Sequence, residues 1–288
     1  MSNAGFVRLD RGLVSVTGAD SRTFLQGLIS QNIDAVSPTQ AAYGAFLTPQ
    51  GKYLHDFCLA EIGDRIILDG EHARDDELIA RLKRFKLRAK VELVSADDLA
   101  VFAVFGQDAT NALELPDTPG AARQIGNGVA FVDPRSAALG CRLILPTADA
   151  AAILAELSIT EAPLEDYETL RIRYAIPDGT RDMDVEKSTL LESNFEALNG
   201  IDWEKGCYIG QEVTARTKYR GLLKRQLVPV SVDGDAPAPG SAVCTGGKQV
   251  GEIRSIHGRV ALASLRLDAL ESADLTADGA TISPLSGD

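Results

Sequence analysis

Short apolar runs of strand length, separated by turn residues and interrupted by stretches of helical spacing, limit what this chain can fold into. Residues 41–47, 53–60 and 65–69 are such runs, broken by Pro49-Gln50-Gly51 and Gly63-Asp64. They read as antiparallel strands joined by turns. Within residues 20–31, Phe24, Leu25, Leu28 and Ile29 share one face behind Asp20, a good capping residue, which predicts a helix. Leu78, Ile79, Leu82 and Phe85 predict another over 75–85, and residues 88–94 then alternate as a half-buried strand does. Strand signal returns at 99–105, 128–132 and 141–145. Thr147 can cap a helix carrying Ile153, Leu154 and Leu157, and a helix over 164–174 is stopped by Pro177. Strands and helices mix without βαβ alternation, so the expected class is α+β with antiparallel sheets. After Gly221 the runs at 226–232, 242–244, 249–256 and 259–267, split by Pro237-Ala238-Pro239-Gly240 and Gly246-Gly247, predict a small all-β module. Only residues 266–272 hint at another helix there.

Composition removes several function classes. With 288 residues, 45% of them hydrophobic, the chain can bury a sizeable core in two or three modules. A formal net charge of −12 argues against nucleic acid as the main partner. No apolar run reaches the roughly 18 residues of a spanning helix, so no membrane partner is expected. Met1-Ser2-Asn3-Ala4-Gly5-Phe6 has neither a signal-peptide nor a transit-peptide pattern, and the expected location is cytoplasmic. Cys58, Cys141, Cys207 and Cys244 are far apart, as are His55, His72 and His257. That spacing is not a zinc or ferredoxin framework, so no stably bound metal is expected.

Two segments attract attention. Residues 81–90 hold six basic residues, which can either draw an anion or form a solvated helix face. Residues 199–220 are denser in unusual features. Gly206 and Gly210 bracket Cys207 and Tyr208, which reads as a loop able to turn tightly or admit a ligand. An exposed thiol there would have its thiolate favoured by Lys205, with Arg216 nearby, while Glu212 works the other way. Against this, a lone Cys often packs as a small hydrophobe, and Trp203 and Tyr208 as core or interface anchors.

Lys205-Gly206-Cys207-Tyr208-Ile209-Gly210-Gln211-Glu212, continuing to Tyr219-Arg220-Gly221, resembles the K-G-C-Y-x-G-Q-E signature of the YgfZ family. Gly18-Ala19-Asp20, Phe24-Leu25-Gln26-Gly27 and Leu47-Thr48-Pro49-Gln50-Gly51-Lys52 resemble its N-terminal pattern, and the terminal β module its closing barrel. That family is related to the aminomethyltransferases of the glycine cleavage system. The resemblance implies an aminomethyltransferase-like folate-binding α+β region over 1–222, as two interleaved subdomains (about 1–48 with 134–222, and 49–133), followed by a β-barrel over 223–288. It implies tetrahydrofolate, or a one-carbon derivative, as cofactor. Asp56 stands at the second position of an Asp-Asp pair that faces the folate, the first position being His55 here. Glu192 stands where an acid binds the pterin, a task that suits a carboxylate facing two adjacent donors. Tyr208, Gln211 and Arg216 are expected to help hold the cofactor, and Cys207, assisted by Lys205, to be the functional thiol.

The function so implied is a folate-binding accessory protein, not an enzyme in its own right, for assembly or repair of iron–sulfur clusters. Its partners would be iron–sulfur enzymes or cluster assembly proteins. A folate-dependent aminomethyl transferase is the alternative, weakened by His55 replacing one acid. A third reading is a non-catalytic interaction module with a vestigial folate pocket.

Overall fold

The computed structural model describes residues 4–285. The chain opens with strands β1 (Ala4–Leu9) and β2 (Arg11–Thr17), helix α1 (Ser21–Gln26), and strands β3 (Ala42–Leu47), β4 (Tyr53–Ile62) and β5 (Arg65–Glu71). Helix α2 (Asp75–Lys86) leads to β6 (Glu92–Ser95) and β7 (Leu99–Gly106). Then come α3 (Ala109–Ala112), β8 (Ala122–Ile125), β9 (Gly128–Val132), β10 (Cys141–Pro146), α4 (Ala150–Glu156) and β11 (Thr160–Glu161). Helices α5 (Leu164–Arg173), α6 (Gly179–Asp182) and α7 (Gln211–Tyr219) precede β12 (Arg225–Asp233), β13 (Ala242–Thr245), β14 (Lys248–His257), β15 (Val260–Arg266), β16 (Thr276–Ala277) and β17 (Ala280–Pro284).

Two sheets and a barrel result. One sheet runs β3-β4-β5-β2-β6, the other β11-β1-β7-β10-β9-β8, and β12-β15-β14-β13-β16-β17 close into a barrel. The class is therefore the expected α+β with a C-terminal β-barrel. The first core lies between the sheets and includes Tyr43, Tyr53, Phe131, Tyr167 and Phe195. The outer face of the first sheet packs on α1 and α2 through Leu25, Leu78 and Leu82, and that of the second on α3 and α4 through Ala109 and Leu154. Because both faces of β4 are covered, its first eight residues are all buried, which explains its nearly unbroken apolar run.

The sheets do not divide the chain at residues 48 and 133 as expected. Strands β3 and β4, on either side of residue 48, are neighbours in one sheet, while β7 to β9 belong to the other with β1. Pairing of β2 with β5 and of β1 with β7 sets this division, and neither N-terminal strand carries a distinctive turn signal. The helix expected over 20–31 stops at Gln26 because Ser30 N–H donates to Ala45 O on β3 (2.9 Å). The strand expected from 88 begins at Glu92, since Leu87 (φ 43°) and a bond from Ala89 N–H to Lys86 O (2.7 Å) turn the chain after α2. Residues 266–272 contain one 3₁₀ turn, Leu267–Ala269.

A buried chain of ion pairs ties these modules. Asp69 on β5 accepts from Arg11 Nε on β2 (2.7 Å) and from Arg142 on β10 in the opposite sheet. Arg142 Nε also donates to Asp133 (3.1 Å), which holds Arg135 through both carboxylate oxygens (2.9 and 2.7 Å). Arg11 reaches on to Asp178 (3.0 Å). Near the barrel, Arg171 on α5 pairs with Asp182 (2.9 Å) and donates to Ser255 on β14 (2.9 Å). Burial alone would neutralise Asp69 and Asp133, but the arginines hold the Asp69 carboxyl below its usual range and Asp133 at about 2. Replacing Asp69→Asn leaves two buried guanidinium groups short of their counter-charge and is expected to cost about 3–5 kcal/mol in urea unfolding. A loss under about 1 kcal/mol would show that the sheets are held without this network.

Candidate functional site

The signature segment forms a loop sewn onto the stretch that follows α1. Ser30 Oγ donates to Gly200 O (2.6 Å), Gln31 Nε2 to Asn199 O (2.7 Å) and Asp202 N–H to Ser30 O (3.0 Å). Lys205 is buried and donates its ammonium to Ile29 O (2.8 Å) and Gln31 O (2.6 Å), with the nitrogen 5.3 Å from the centre of the Tyr208 ring. Burial lowers its amine to about 8, against the pull of Asp202 and Asp34. Lys205 is thus a clamp on the loop. Its ammonium is engaged by backbone carbonyls.

The other end of the loop is fixed by glycine. Gly210 has φ 85°, and a Cβ there would lie 2.7 Å from Thr48 O and 3.0 Å from Gly51 Cα. Backbone therefore packs on backbone between the loop and the turn after β3, an approach only glycine permits. Gly206 differs, since a Cβ there would meet no atom within 4 Å. Cys207 beside it is exposed, and the approach to its thiol is open. Cys58 and Cys141 are buried and their thiols pushed up to about 12 by desolvation, and Cys244 is half-buried. Cys207 is the one exposed thiol among the described residues.

The remaining expected residues are dispersed. Tyr208 is buried, its hydroxyl pushed up to about 12, and it anchors the loop. Gln211 starts α7, and Arg216 on the exposed side of that helix pairs with Glu212 (2.6 Å). Asp56 lies in the interior, where it accepts from Tyr43 (2.9 Å) and Tyr53 (2.8 Å) hydroxyls, one on each carboxylate oxygen. Burial raises its carboxyl above the ordinary range, against Arg11 and the two tyrosines. His55 points to the α2 side, with Nε2 buried and without a hydrogen-bond partner among the described residues, and the ring lowered to about 3 by burial and by Arg74. Glu192 lies elsewhere, in a cleft of about 160 Å³ against the barrel with Asp184, Ser193, Arg225 and Arg254. One of its oxygens accepts from Thr189 (2.8 Å).

Those positions bear on folate. Asp56 does not fit a pterin partner in this arrangement, because both oxygens are taken and the space beside it is only about 10 Å³. Glu192 fits better, since among the described residues only one of its oxygens is hydrogen-bonded, and it lines an open cleft together with Arg225 and Arg254. At about 160 Å³ the cleft is below the roughly 300 Å³ of a drug-sized site, so it suits a ring with its tail outside. The basic run 81–90 lies mostly on exposed surface, with Arg81 paired to Glu77 and Glu186, and lines none of these cavities. Among the described residues no group of three or more His, Cys, Asp or Glu is arranged to hold a metal. Sequence reading missed Tyr43, Tyr53 and the buried arginines, whose separation along the chain gives no local pattern.

The clamp leads to a test of the loop. Lys205→Met keeps the bulk but leaves the Ile29 and Gln31 carbonyls without their donor, which is expected to cost about 1–3 kcal/mol for each group left unpaired. In the folded chain the amine titrates near 8 instead of 10.5, so between those values the unfolded chain binds more protons. The stability of wild type relative to Lys205→Met should therefore rise from about pH 8 to 10.5 in a thermal unfolding series.

Comparison with known proteins closes the case for the fold and the family. Residues 224–286 match the family described as CAF17, C-terminal beta-barrel domain. The iron-sulfur cluster assembly factor IBA57 homolog, mitochondrial, of Coccidioides immitis is 32% identical, with 98% of this chain and 76% of that protein covered. The mitochondrial iron-sulfur cluster assembly factors IBA57 of Mus musculus and Homo sapiens are each 33% identical, covering 92% and 90% of this chain and 78% and 76% of theirs. The crystal structure of glycine cleavage system aminomethyltransferase T from Bartonella henselae superposes with a TM-score of 0.80 at 16% identity, over 99% of this chain and 86% of that one, which establishes the fold. The expected cytoplasmic location is overturned, since these relatives are named as mitochondrial. That expectation rested on the composition of residues 1–6, which does not report a compartment. The chain belongs to the IBA57 (CAF17) family of iron–sulfur cluster assembly factors.

Proposed function

We propose that this chain is an accessory factor in iron–sulfur cluster assembly or repair, of the YgfZ type, and that Cys207 is the group that meets the cluster or its carrier. The observation that carries this reading is the exposed thiol on a loop clamped at both ends, by Lys205 on one side and by the Gly210–Gly51 contact on the other. A fixed, open thiol suits brief ligation. One cysteine supplies one of the four ligands a cluster takes from protein, so the others must come from a partner protein. The cluster is then cargo, shared while two proteins are in contact. Thiol exchange with a partner is compatible with the same geometry.

Reduced folate is the second part of the proposal. Glu192 would hold the pterin edge, since its carboxylate can accept from two adjacent donors, with Arg225 and Arg254 beside it. Aminomethyl transfer is not favoured, because the carboxylate that would serve as base, Asp56, is capped by Tyr43 and Tyr53.

Each part has its own test. In a strain lacking the gene, Cys207→Ala should leave iron–sulfur enzymes at the activity of the empty strain. Full restoration of those activities would remove Cys207 from the function. Calorimetric titration of the full chain with tetrahydrofolate should show saturable heat, and Glu192→Gln should weaken binding by about tenfold or more, from the loss of about 1.5–3 kcal/mol in a charged hydrogen bond. An absence of heat would favour the interaction module with a vestigial pocket. An unchanged isotherm in the variant would move the site away from Glu192.

A further inference from the structure

The surface that continues from the Cys207 loop along α7 has a character opposite to that of the whole chain. Residues 211–225 contain five basic residues and one acidic residue, in a chain of net charge −12. Arg216 and Lys218 are paired, to Glu212 and Glu196. Among the described residues Arg220 and Lys224 are exposed and in no ion pair. Apolar groups stand between these charges. Tyr219, the last residue of α7, is 74% exposed, and Leu222, three residues further on, 50%. Tyr219 packs edge-on against Trp203 (6.4 Å between centroids), and Lys218 Nζ sits 4.0 Å from the centre of the same indole. Trp203 lies four residues before Cys207 on the same loop, so its contacts with Tyr219 and Lys218 fasten the end of α7 to the loop that carries the thiol.

Two large exposed apolar side chains interspersed with cations along one short segment have the composition of a protein docking patch, in which apolar groups anchor and charges steer. The small size of the basic region, on an otherwise strongly acidic chain, fits a short acidic face better than a long polyanion, which the rest of the molecule would repel. We infer that the surface formed by Trp203, Lys218, Tyr219, Arg220, Leu222 and Lys224 is the docking site for an acidic face of the partner protein that exchanges the cluster with Cys207. The inference rests on the proposed role of Cys207, but its residues are separate from the thiol. Steering then brings the partner's own ligands to the open side of Gly206, while the anchors hold it for the exchange.

Two measurements on the full chain test this. The first reads the local field at the thiol with small probes: the dianionic disulfide of Ellman's reagent and the neutral dithiodipyridine, with the Cys207→Ala chain subtracted as background. The ratio of the anionic to the neutral rate should fall severalfold in Arg220→Glu/Lys224→Glu, and most at low salt, where charges about 10 Å apart are still felt. The neutral rate and the thermal unfolding should match wild type, which shows that the loop is intact. The second measurement is the activity of iron–sulfur enzymes in the deletion strain. Arg220→Glu/Lys224→Glu and Tyr219→Ser/Leu222→Ser should each lower it severalfold. If both double variants restore the enzymes fully while Cys207→Ala does not, the docking surface is wrong and the role of the thiol stands. If Cys207→Ala also restores them, the underlying reading falls with it. Tight binding of a fluorescent single-stranded RNA by wild type, lost in the charge-reversed chain, would assign the patch to a polyanion and overturn the inference.

Discussion

The fold depends on one buried interaction, the carboxylate of Asp69 held between Arg11 of its own sheet and Arg142 of the other. Antiparallel sheets with covered faces need apolar contact between them, and the tyrosine- and phenylalanine-rich core supplies it. Apolar contact is not directional, however, and would allow the sheets to slide. The ion pairs fix a registry because each charge is desolvated and tolerates few positions. From Arg11 the chain passes to Asp178, then through Arg181 and Glu168 to Arg171, Asp182 and Ser255 in the barrel. The three modules are thereby placed relative to one another by charge as well as by packing.

That placement sets the position of the thiol. Strand β3 leads into the turn that receives Gly210, and the segment that follows α1 supplies the carbonyls that Lys205 clamps. The loop therefore takes its shape from the first sheet, and Cys207 stands out from it without an element of its own. The interior carboxylate of Asp56 is placed by the same sheet but is closed by two tyrosines in a hydrogen-bonded triad. The groups left accessible are the Cys207 thiol and the carboxylate of Glu192 at its cleft.

Much of this was legible in the residues and some was not. The strands at 42–47, 53–62 and 65–71, helix α2 and most of the barrel follow from local periodicity, because each buries one face or both against a neighbour. The pairing of β1 and β2 with different sheets is a long-range choice, and no local pattern encodes it. The loop character of residues 205–210 could be read from its glycines, but only the structure separates Gly210, where no Cβ fits, from Gly206, where one would meet nothing. Lys205 was expected to activate the thiol. Its carbonyl partners lie 174 and 176 residues earlier, a distance at which spacing says nothing. The same holds for Asp56 and Glu192, which were expected to face one ligand and line different cavities.

The proposed function requires that Cys207 ligate a cluster shared with another protein. Its most direct measurement is the visible circular dichroism of a cluster-loaded assembly protein from the same organism, mixed anaerobically with the full chain. Wild type is expected to change the cluster bands with a one-to-one endpoint, and Cys207→Ser, folded as judged by its unfolding curve, to leave them unchanged. Identical spectra for wild type and Cys207→Ser, whether both change or neither does, would contradict it.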